Sequence, residues 1–323
     1  MSRIYTLYTG CTPRIAEPEL LKSTLAVAEY LGIELLQKRE YSCCGGSHIQ
    51  DIDDFSSLLL NGRNLAYADN EGLDLITICN TCQLMLSDAR ERLLQDPELR
   101  QRVNRRLEKY HLQFTGKSRV RHFLYLLIDE FGYDGLAAKT VRPLTGLKVA
   151  SFYGCHNIRP ASLQENVNRK ESPWQPRSLD NLVKALGGEP VYYESSASCC
   201  GFHISLHAQE SADRMTGKVL RQAYEAGADC IITPCPLCHT NLDSMQPEAL
   251  TRVTKGPELP LFSAWPNAFH VKLPVVDEPV SLPALHFEQL LGIAFGISAR
   301  KLGLRHHVVP VKRSTKLMEY ITK

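Results

Sequence analysis

The amino-acid sequence predicts an α/β protein built from two tandem Rossmann-like domains related by pseudo-twofold symmetry. Two observations support this prediction: a five-cysteine pattern occurs twice, and short apolar strand-like segments alternate with helical segments in both halves. The cysteine groups follow predicted strands, and ligands gather at the carboxyl ends of strands in open parallel sheets. The sequence contains no G-x-G-x-x-G or Walker motif, so nucleotide binding is not indicated.

Each copy of the cysteine pattern consists of a lone cysteine, a vicinal pair followed by glycine, and a C-x-x-C pair. The members are Cys11, Cys43, Cys44, Cys79 and Cys82 in the first copy, and Cys155, Cys199, Cys200, Cys235 and Cys238 in the second. The vicinal pair and the C-x-x-C pair recur 156 positions later, whereas the lone cysteines are 144 positions apart. Of the 11 cysteines, only Cys230 lies outside the repeat, and it is predicted to be an apolar core residue.

Cysteines in this arrangement are typical of a metal cluster. A C-x-x-C turn lets two thiolates converge on one metal centre. The side chains of a vicinal pair tend to point apart, so they suit a polynuclear cluster in which neighbouring thiolates reach different metals. Glycines beside the cysteines, such as Gly10, Gly154 and Gly201, allow the backbone to approach a bulky cofactor closely.

Three other interpretations of the cysteines fit less well. A disulfide framework is typical of small secreted chains, and this chain of 323 residues is long enough to bury its own core. Two structural zinc sites would use four ligands each and leave one cysteine idle in each copy. A thioredoxin-like redox pair would leave the vicinal cysteines unexplained. The sequence therefore favours a metal cluster in each half.

The first half is predicted to alternate between strand and helix as far as its C-x-x-C pair. In order, the predicted elements are strand 3–9, helix 17–31, strand 33–36, helix 55–71 and strand 73–78. A helical insert near 83–132 follows, with predicted helices over 84–94, 97–110 and 119–131. Residues 136–146 are predicted to link the two domains, and the first domain is assigned to 1–140.

The second half is predicted to repeat this order. Its elements are strand 148–153, an irregular loop at 171–177, helix 179–186, strand 190–193, helix 211–226, strand 230–233, an irregular segment over 244–283 and helix 285–302. The second domain is assigned to 147–309, and a basic tail over 310–323 ends the chain.

Charge and hydropathy exclude several classes of function. The formal net charge is only +2, so no nucleic-acid-binding signal is present. No apolar run approaches the roughly 20 residues of a membrane span, and the first residues lack the pattern of a signal peptide, so we expect a cytoplasmic protein. Between 88 and 121, basic residues outnumber acidic ones, which is typical of a solvated helix face and also suits a surface for an acidic partner.

Four histidines lie near the cysteine groups in the sequence: His48, His156, His203 and His239. Each has the chemistry to donate a hydrogen bond to a cluster or to shuttle a proton. None recurs at matched positions of the two copies, so a structural role is favoured over a catalytic one for each.

The two copies resemble the cysteine-rich CCG domain, whose pattern is a lone cysteine, then Cys-Cys-Gly, then C-x-x-C. Further details resemble the B subunit of heterodisulfide reductase: Phe152-Tyr153-Gly154-Cys155-His156 with Arg159-Pro160, Cys235-Pro236-Leu237-Cys238-His239, and the C-terminal segment 285–304 with Gln289-Leu290-Leu291-Gly292. The spacer of 43 residues between Cys155 and Cys199 is longer than the family's usual spacing.

The resemblance implies two tandem CCG domains, each holding one iron–sulfur cluster of the non-cubane 4Fe–4S type through its five cysteines. It implies that the ten repeated cysteines are the ligands, and that six of them flank the reacting sulfur groups as catalytic positions: Cys11, Cys43, Cys44, Cys155, Cys199 and Cys200. The implied reaction is the interconversion of two thiols and a disulfide between the clusters, or the processing of sulfur bound to a carrier protein.

The resemblance also implies partners. The chain has no ferredoxin-type C-x-x-C-x-x-C-x-x-x-C run, so we expect a ferredoxin-like C subunit and, through it, a flavin-containing A subunit. The substrate stays open between a small mixed disulfide and protein-bound sulfur. Two functions of other kinds also stay open: an electron-relay component of a glycolate- or lactate-oxidising complex, and a zinc-bearing assembly module.

Overall fold

A computed structural model of the chain describes residues 3–160, 171–255 and 281–321. Its framework is two four-stranded parallel sheets, one in each half of the chain. The strands are β1 (Ile4–Tyr8), β2 (Glu34–Gln37), β3 (Leu75–Thr77), β4 (Val120–His122), β5 (Lys148–Ser151), β6 (Glu189–Val191), β7 (Cys230–Thr233) and β8 (Ala284–His286). The strand order is β2-β1-β3-β4 in one sheet and β6-β5-β7-β8 in the other, which confirms the predicted α/β class with two Rossmann-like repeats.

Helices connect the strands in both halves. Those of the first half are α1 (Thr12–Ile15), α2 (Pro18–Leu31), α3 (Gly46–Ile52), α4 (Asp54–Glu71), α5 (Asn80–Gln95), α6 (Pro97–Leu107) and α7 (Phe123–Ala138). Those of the second half are α8 (Ser178–Ala185), α9 (Gln209–Glu225), α10 (Pro236–Asp243), α11 (Gln246–Lys255), α12 (Phe287–Ala294) and α13 (Thr315–Ile321). Short 3₁₀ turns lie at Glu108–Tyr110, Glu194–Ala197, Phe202–Ile204 and Val311–Arg313.

The fourth strand of each sheet corrects the prediction from sequence. The helix predicted over 119–131 begins only at Phe123, because β4 first pairs with β3 through Leu75 and Val120. The helix predicted over 285–302 likewise begins at Phe287 and ends at Ala294, after β8 has paired with β7. Both strands have only three residues and run directly into a helix. A strand this short shows no alternation of apolar and polar residues that would distinguish it from the helix.

Two further segments differ from their predictions. Part of the segment predicted to be irregular, 244–283, forms α11, whereas residues 256–280 lie outside the described residues. The basic tail carries α13, which buries Leu317 in the core although the tail as a whole is polar.

In each half, the helix that follows the fourth strand packs against the other half. Helix α7, which follows the fourth strand of the first sheet, packs against α8 of the second half. Helix α12, which follows the fourth strand of the second sheet, packs against α2 of the first half. Phe123 and Phe287 begin these two helices, and their rings lie 6.4 Å apart between centroids. Because of this reciprocal packing, a single hydrophobic cluster contains buried residues of both sheets.

Candidate metal centre

The fold delivers the cysteines from equivalent elements of the two sheets. Cys11 follows β1 and stands at the N-terminus of α1. Cys79 and Cys235 are the N-cap residues of α5 and α10, so Cys82 and Cys238 lie one turn further along the same helices. Residues three positions apart on a helix share a face, and the positive end of the helix dipole favours thiolates there. Each C-x-x-C pair is therefore preorganised to bind a cation.

The first cysteine set brings sulfurs together at distances suited to a shared metal. The Sγ atoms of Cys11 and Cys43 lie 3.7 Å apart, and those of Cys44 and Cys82 lie 3.4 Å apart. A disulfide would need about 2.05 Å, whereas two thiolates bound to one tetrahedral metal at about 2.3 Å would lie about 3.8 Å apart. All of the described cysteines are free thiols.

The second set repeats the arrangement in a more enclosed setting. Hydrogen bonds from the thiols of Cys155 and Cys200 lower the pKa of Cys199 to about 2, and the same contacts raise the pKa of those two thiols. Among these three sulfurs the negative charge is therefore favoured at Cys199. Cys155 and Cys199 are half-buried, while their counterparts Cys11 and Cys43 are exposed. Cys230 is fully buried on β7, and burial raises the pKa of its thiol, which confirms its role as a core residue.

Two equivalent glycines leave room beside the cysteine sets. Gly10 and Gly154 have φ angles of +72° and +68°, in the left-handed region that favours glycine. A Cβ atom at Gly10 would lie 3.2 Å from Cys82 Sγ, and one at Gly154 would lie 3.0 Å from Cys238 Sγ. Any larger residue would therefore crowd the sulfurs. Five thiols and a glycine-lined approach in each half fit a polynuclear iron–sulfur cluster.

The two cysteine sets adjoin across the boundary between the halves. Cys79 Sγ and Cys235 Sγ, the first sulfurs of the two C-x-x-C pairs, lie 3.9 Å apart. The Asn80 side-chain amide donates a 2.9 Å hydrogen bond to the Tyr153 carbonyl oxygen, which ties the first helix to the loop of the second set. The two cysteine sets are thus held next to each other.

A cavity of about 210 Å³ opens beside the first set. Most of its lining comes from the three cysteine loops of the first half, including the exposed Cys11 and Cys43. The second half contributes Phe202, His203, Pro236 and Leu237. Among the described residues, the lining of this cavity includes no member of the second cysteine set.

Three of the four histidines named from the sequence come together near this cavity. His48 and His203 line it, and His48 Nε2 lies 3.2 Å from the carbonyl oxygen of His203. The His156 ring lies 4.6 Å from that of His203 between centroids, and its Nδ1 is 3.0 Å from Thr81 Oγ1. Burial lowers the pKa of both His156 and His203. Matched repeat positions could not predict this cluster, because its members come from α3, from the loop after β5 and from the 3₁₀ turn Phe202–Ile204.

His239 lies elsewhere, among buried acids and two other histidines, His286 and His307. Neither of these two was singled out from the sequence, nor was His122, which lies apart from them. His122 and His286 end the fourth strands β4 and β8, and both are fully buried. A sequence signal for these two histidines was present, because His-Phe-x-x-Leu-Leu occurs at 122–127 and again at 286–291.

In the described part of the chain, no helix is long and apolar enough to cross a membrane.

Comparison with protein families matches the model of the cysteine-rich CCG domain to residues 5–87 and 149–243. The chain is 37% identical over 309 residues to the protein named 8-methylmenaquinol:fumarate reductase membrane anchor subunit of Wolinella succinogenes, covering 96% of this chain and 98% of that protein. It is 32% identical over 308 residues to the B subunit of the ferredoxin:CoB-CoM heterodisulfide reductase of Methanosarcina mazei, covering 94% of this chain and 93% of that protein.

A third relative, a protein of Archaeoglobus profundus named as similar to the B subunit of heterodisulfide reductase, is 29% identical over 301 residues, 92% of each chain. Among solved structures, a hypothetical protein from Helicobacter pylori matches with a TM-score of 0.72 at 16% sequence identity. That match covers 96% of this chain and 52% of the other, so this chain spans about half the length of that protein. At this identity the match supports the fold alone.

Proposed function

This chain belongs to the heterodisulfide reductase B-like family of iron–sulfur subunits with duplicated cysteine-rich CCG domains, and we propose that it is the catalytic subunit of such a complex. In this proposal the ten repeated cysteines hold two non-cubane 4Fe–4S clusters, one in each half. The reaction interconverts two thiols and a disulfide, or processes sulfur on a carrier protein. The domains would be 1–140, with the helical insert near 83–132, and 147–309, followed by the tail 310–323.

The observation that carries the proposal is the exposed edge of the first set at the cavity. A site that only relays electrons can be closed to small molecules, whereas Cys11 and Cys43 are exposed at a cavity of about 210 Å³. This volume is below the usual range for drug-sized ligands, roughly 300–1,000 Å³. A thiol, a small disulfide or the end of a carrier-bound sulfur group fits better than a large cofactor.

The chain's own residues would bind the substrate and handle its protons. Reduction of a disulfide consumes two electrons and two protons and releases two thiols, and oxidation runs the reverse. When bound, the clusters supply Lewis-acidic iron and electrons in single steps. Phe202 and Leu237 would exclude water from the cavity, and the imidazoles of His48 and His203 would give or take the two protons.

Partners would supply or remove the electrons. We propose the ferredoxin-like C subunit and the flavin-containing A subunit for this role, in the cytoplasm. The arginines of α6 offer a surface for the first of them, because Arg102, Arg105 and Arg106 are exposed. By contrast, Arg92, Arg119 and Arg121 are engaged in ion pairs.

The test uses the chain purified anaerobically with its partner subunits. Offering a small disulfide to the reduced protein should change the electron paramagnetic resonance signal and release thiols. Leu237→Trp, which fills the cavity, should remove both effects while leaving iron and sulfide unchanged, and Tyr110→Trp, at an exposed site, should leave them intact. A disulfide-dependent signal that survives in the Leu237→Trp protein would contradict a substrate site in this cavity.

One observation favours a second candidate function. The 37% identical relative is named as a component of a methylmenaquinol:fumarate reductase, and exposed apolar side chains of this chain follow closely on cavity-lining residues. These are Ile15 after Thr12 and Pro13, Ile49 and Ile52 after His48, and Ile204 and Leu206 after His203. Exposed apolar side chains this close in sequence to the cavity lining would suit a quinol better than a charged thiolate. Oxidation of a soluble menaquinol analogue, without any response to disulfides, would favour this second function.

A further inference from the structure

We propose that Glu17, Glu19, His239 and His286 form a binding site for one divalent transition-metal ion of the zinc class, separate from the ten cysteines. One ligand atom from each residue lies within 4.8 Å of all the others. The four residues are between 0% and 3% exposed, so no solvent can compensate their charge. Two imidazole nitrogens and two carboxylate oxygens are a donor set that zinc and its neighbours accept.

The hydrogen bonds around His239 leave its ligand atom aimed at the acids. Its Nε2 lies 3.2 Å from the Ala284 carbonyl oxygen, which only accepts, so Nε2 carries the hydrogen. The other ring nitrogen, Nδ1, lies 2.5 Å from Glu17 Oε2 and has no partner with hydrogen-bond geometry. A ring nitrogen and a carboxylate oxygen this close need positive charge between or beside them, from a proton or from a metal ion. Metal-binding histidines commonly donate their other ring hydrogen to a carbonyl in this way.

The two acids are only partly satisfied by their neighbours. Glu19 Oε2 is buried without a hydrogen-bond partner, and Glu19 Oε1 lies 3.9 Å from His286 Nε2. Glu17 Oε2 lies 3.0 Å from the same nitrogen, while Glu17 Oε1 accepts a 2.7 Å hydrogen bond from Thr240 Oγ1. Leaving buried carboxylate oxygens unpaired costs several kcal/mol in general. One divalent ion would neutralise both carboxylates at once.

The first half offers an internal comparison. The residue equivalent to His239 is Gln83, whose Nε2 donates to the Val120 carbonyl oxygen at 3.4 Å, as His239 Nε2 does to Ala284. Gln83 Oε1 accepts from Thr77 Oγ1 at 2.9 Å, so both ends of the amide are satisfied without acids. The fold thus tolerates a neutral amide at this place. The two histidines of the second half and the two glutamates of the first half add charge that packing does not require.

The site joins the two halves near the cysteine sets. Glu17 and Glu19 begin α2 of the first half, six or more positions after Cys11, while His239 directly follows Cys238 of the second half. A bound ion would therefore fix the loop of Cys11 against helix α10. Its role would be to hold the two cysteine sets in register, and not to take part in the reaction.

Metal analysis of the whole protein tests the site. After dialysis against Zn²⁺ and then against metal-free buffer, the wild-type chain should keep about one zinc per chain in excess of the iron that matches its sulfide. Glu19→Gln should lose that zinc and keep the visible absorption of the iron–sulfur clusters, while the control His122→Gln, at the position equivalent to His286, should keep both. Equal zinc in the wild type and Glu19→Gln proteins would overturn the proposal.

Zinc-edge X-ray absorption on the wild type keeps the test independent of how the variants fold. Zinc at the proposed site should show only nitrogen and oxygen neighbours, at about 2.0–2.2 Å, with no sulfur shell at about 2.3 Å. A sulfur shell would place the zinc among the cysteines and overturn the assignment. Absence of retained zinc would equally overturn it, and would leave the four residues as a network held by shared protons.

Discussion

Cys79 and Cys235 hold equivalent places in the two halves, and their sulfurs lie 3.9 Å apart although 156 positions separate them in the sequence. Both are N-cap residues of the helices that follow the third strands. Any two clusters bound by these sets would be close neighbours, each with a ligand in contact with a ligand of the other. Several consequences of this closeness can be measured.

The first prediction is magnetic coupling between the two centres. Dipolar coupling falls with the cube of distance, so neighbouring paramagnetic centres should split or broaden each other's resonance. Replacing Cys199 and Cys200 by Ser should empty the second set and leave a simpler, slower-relaxing signal from the first. Identical spectra of the first centre with and without the second would show that the centres are not coupled.

The second prediction concerns iron content. The anaerobically purified chain should contain on the order of eight irons with matching sulfide, if each cysteine set holds a four-iron cluster. Replacing Cys43 and Cys44 by Ser should roughly halve the iron, because those two sulfurs belong to the first set alone. The control Cys230→Ser replaces a buried cysteine on β7 and should leave the iron unchanged even if it lowers stability. About two zinc ions per chain without visible absorption would contradict the cluster assignment.

The third prediction uses two glycines that share a backbone conformation. Gly154 and Gly227 have φ angles of +68° and +80°, so alanine at either should cost about 1–2 kcal/mol of stability. Only at Gly154 would the new Cβ meet a sulfur, Cys238 Sγ at 3.0 Å, whereas at Gly227 nothing lies within 4 Å. Gly154→Ala should therefore lose iron from the second site, and Gly227→Ala should not. The measurement is iron and sulfide per chain; equal iron in the two variants would show that the close approach to sulfur is unimportant.

The fourth prediction tests the surface on α6. Reversing the charge of Arg102, Arg105 and Arg106 together should weaken association with a ferredoxin-like partner at least tenfold at low salt, because all three side chains are exposed. Arg102 also lies over the Phe55 ring, 4.7 Å from its centroid, so the fold should be checked by thermal unfolding. As a control, the charges of Lys312 and Arg313, two exposed residues near the C-terminus, are reversed in the same way. This control should leave the affinity unchanged. Unchanged affinity in the α6 variant would show that these arginines form a solvated helix face and not a docking surface.

Much of the fold could be predicted because the repeated cysteine groups show where several of the strands end. β1, β3, β5 and β7 are apolar segments that stop just before a cysteine group, so hydropathy and the cysteine spacing agree. β4 and β8 escaped prediction because their stabilising contacts are not local. Val120 pairs with Leu75, and His286 lies beside Glu17, 269 positions away in the sequence.

The sequence predicted which cysteines form the candidate site better than it predicted how they are arranged in space. Spacing identified ten cysteines that could bind metal, and the structure brings sulfurs of each set together. It did not reveal that the two sets adjoin, since the contact between Cys79 and Cys235 depends on how the halves pack. His48, His156 and His203 likewise come together only through the tertiary packing of separate segments. They do not occur at equivalent positions of the two repeats, so no sign of their contact was visible in the sequence.

The packing of α7 and α12 has a consequence for how the chain folds. In each half, the helix after the fourth strand packs against the other half, so neither half can complete its core before both have been synthesised. Contacts such as that between His122 and the Pro234 carbonyl oxygen, 112 positions apart, make folding slow in comparison with domains rich in local contacts. Two fragments obtained by cutting the chain in the predicted linker, residues 136–146, should each remain unfolded when alone and recover their fold when mixed. The intact chain should unfold in one cooperative transition.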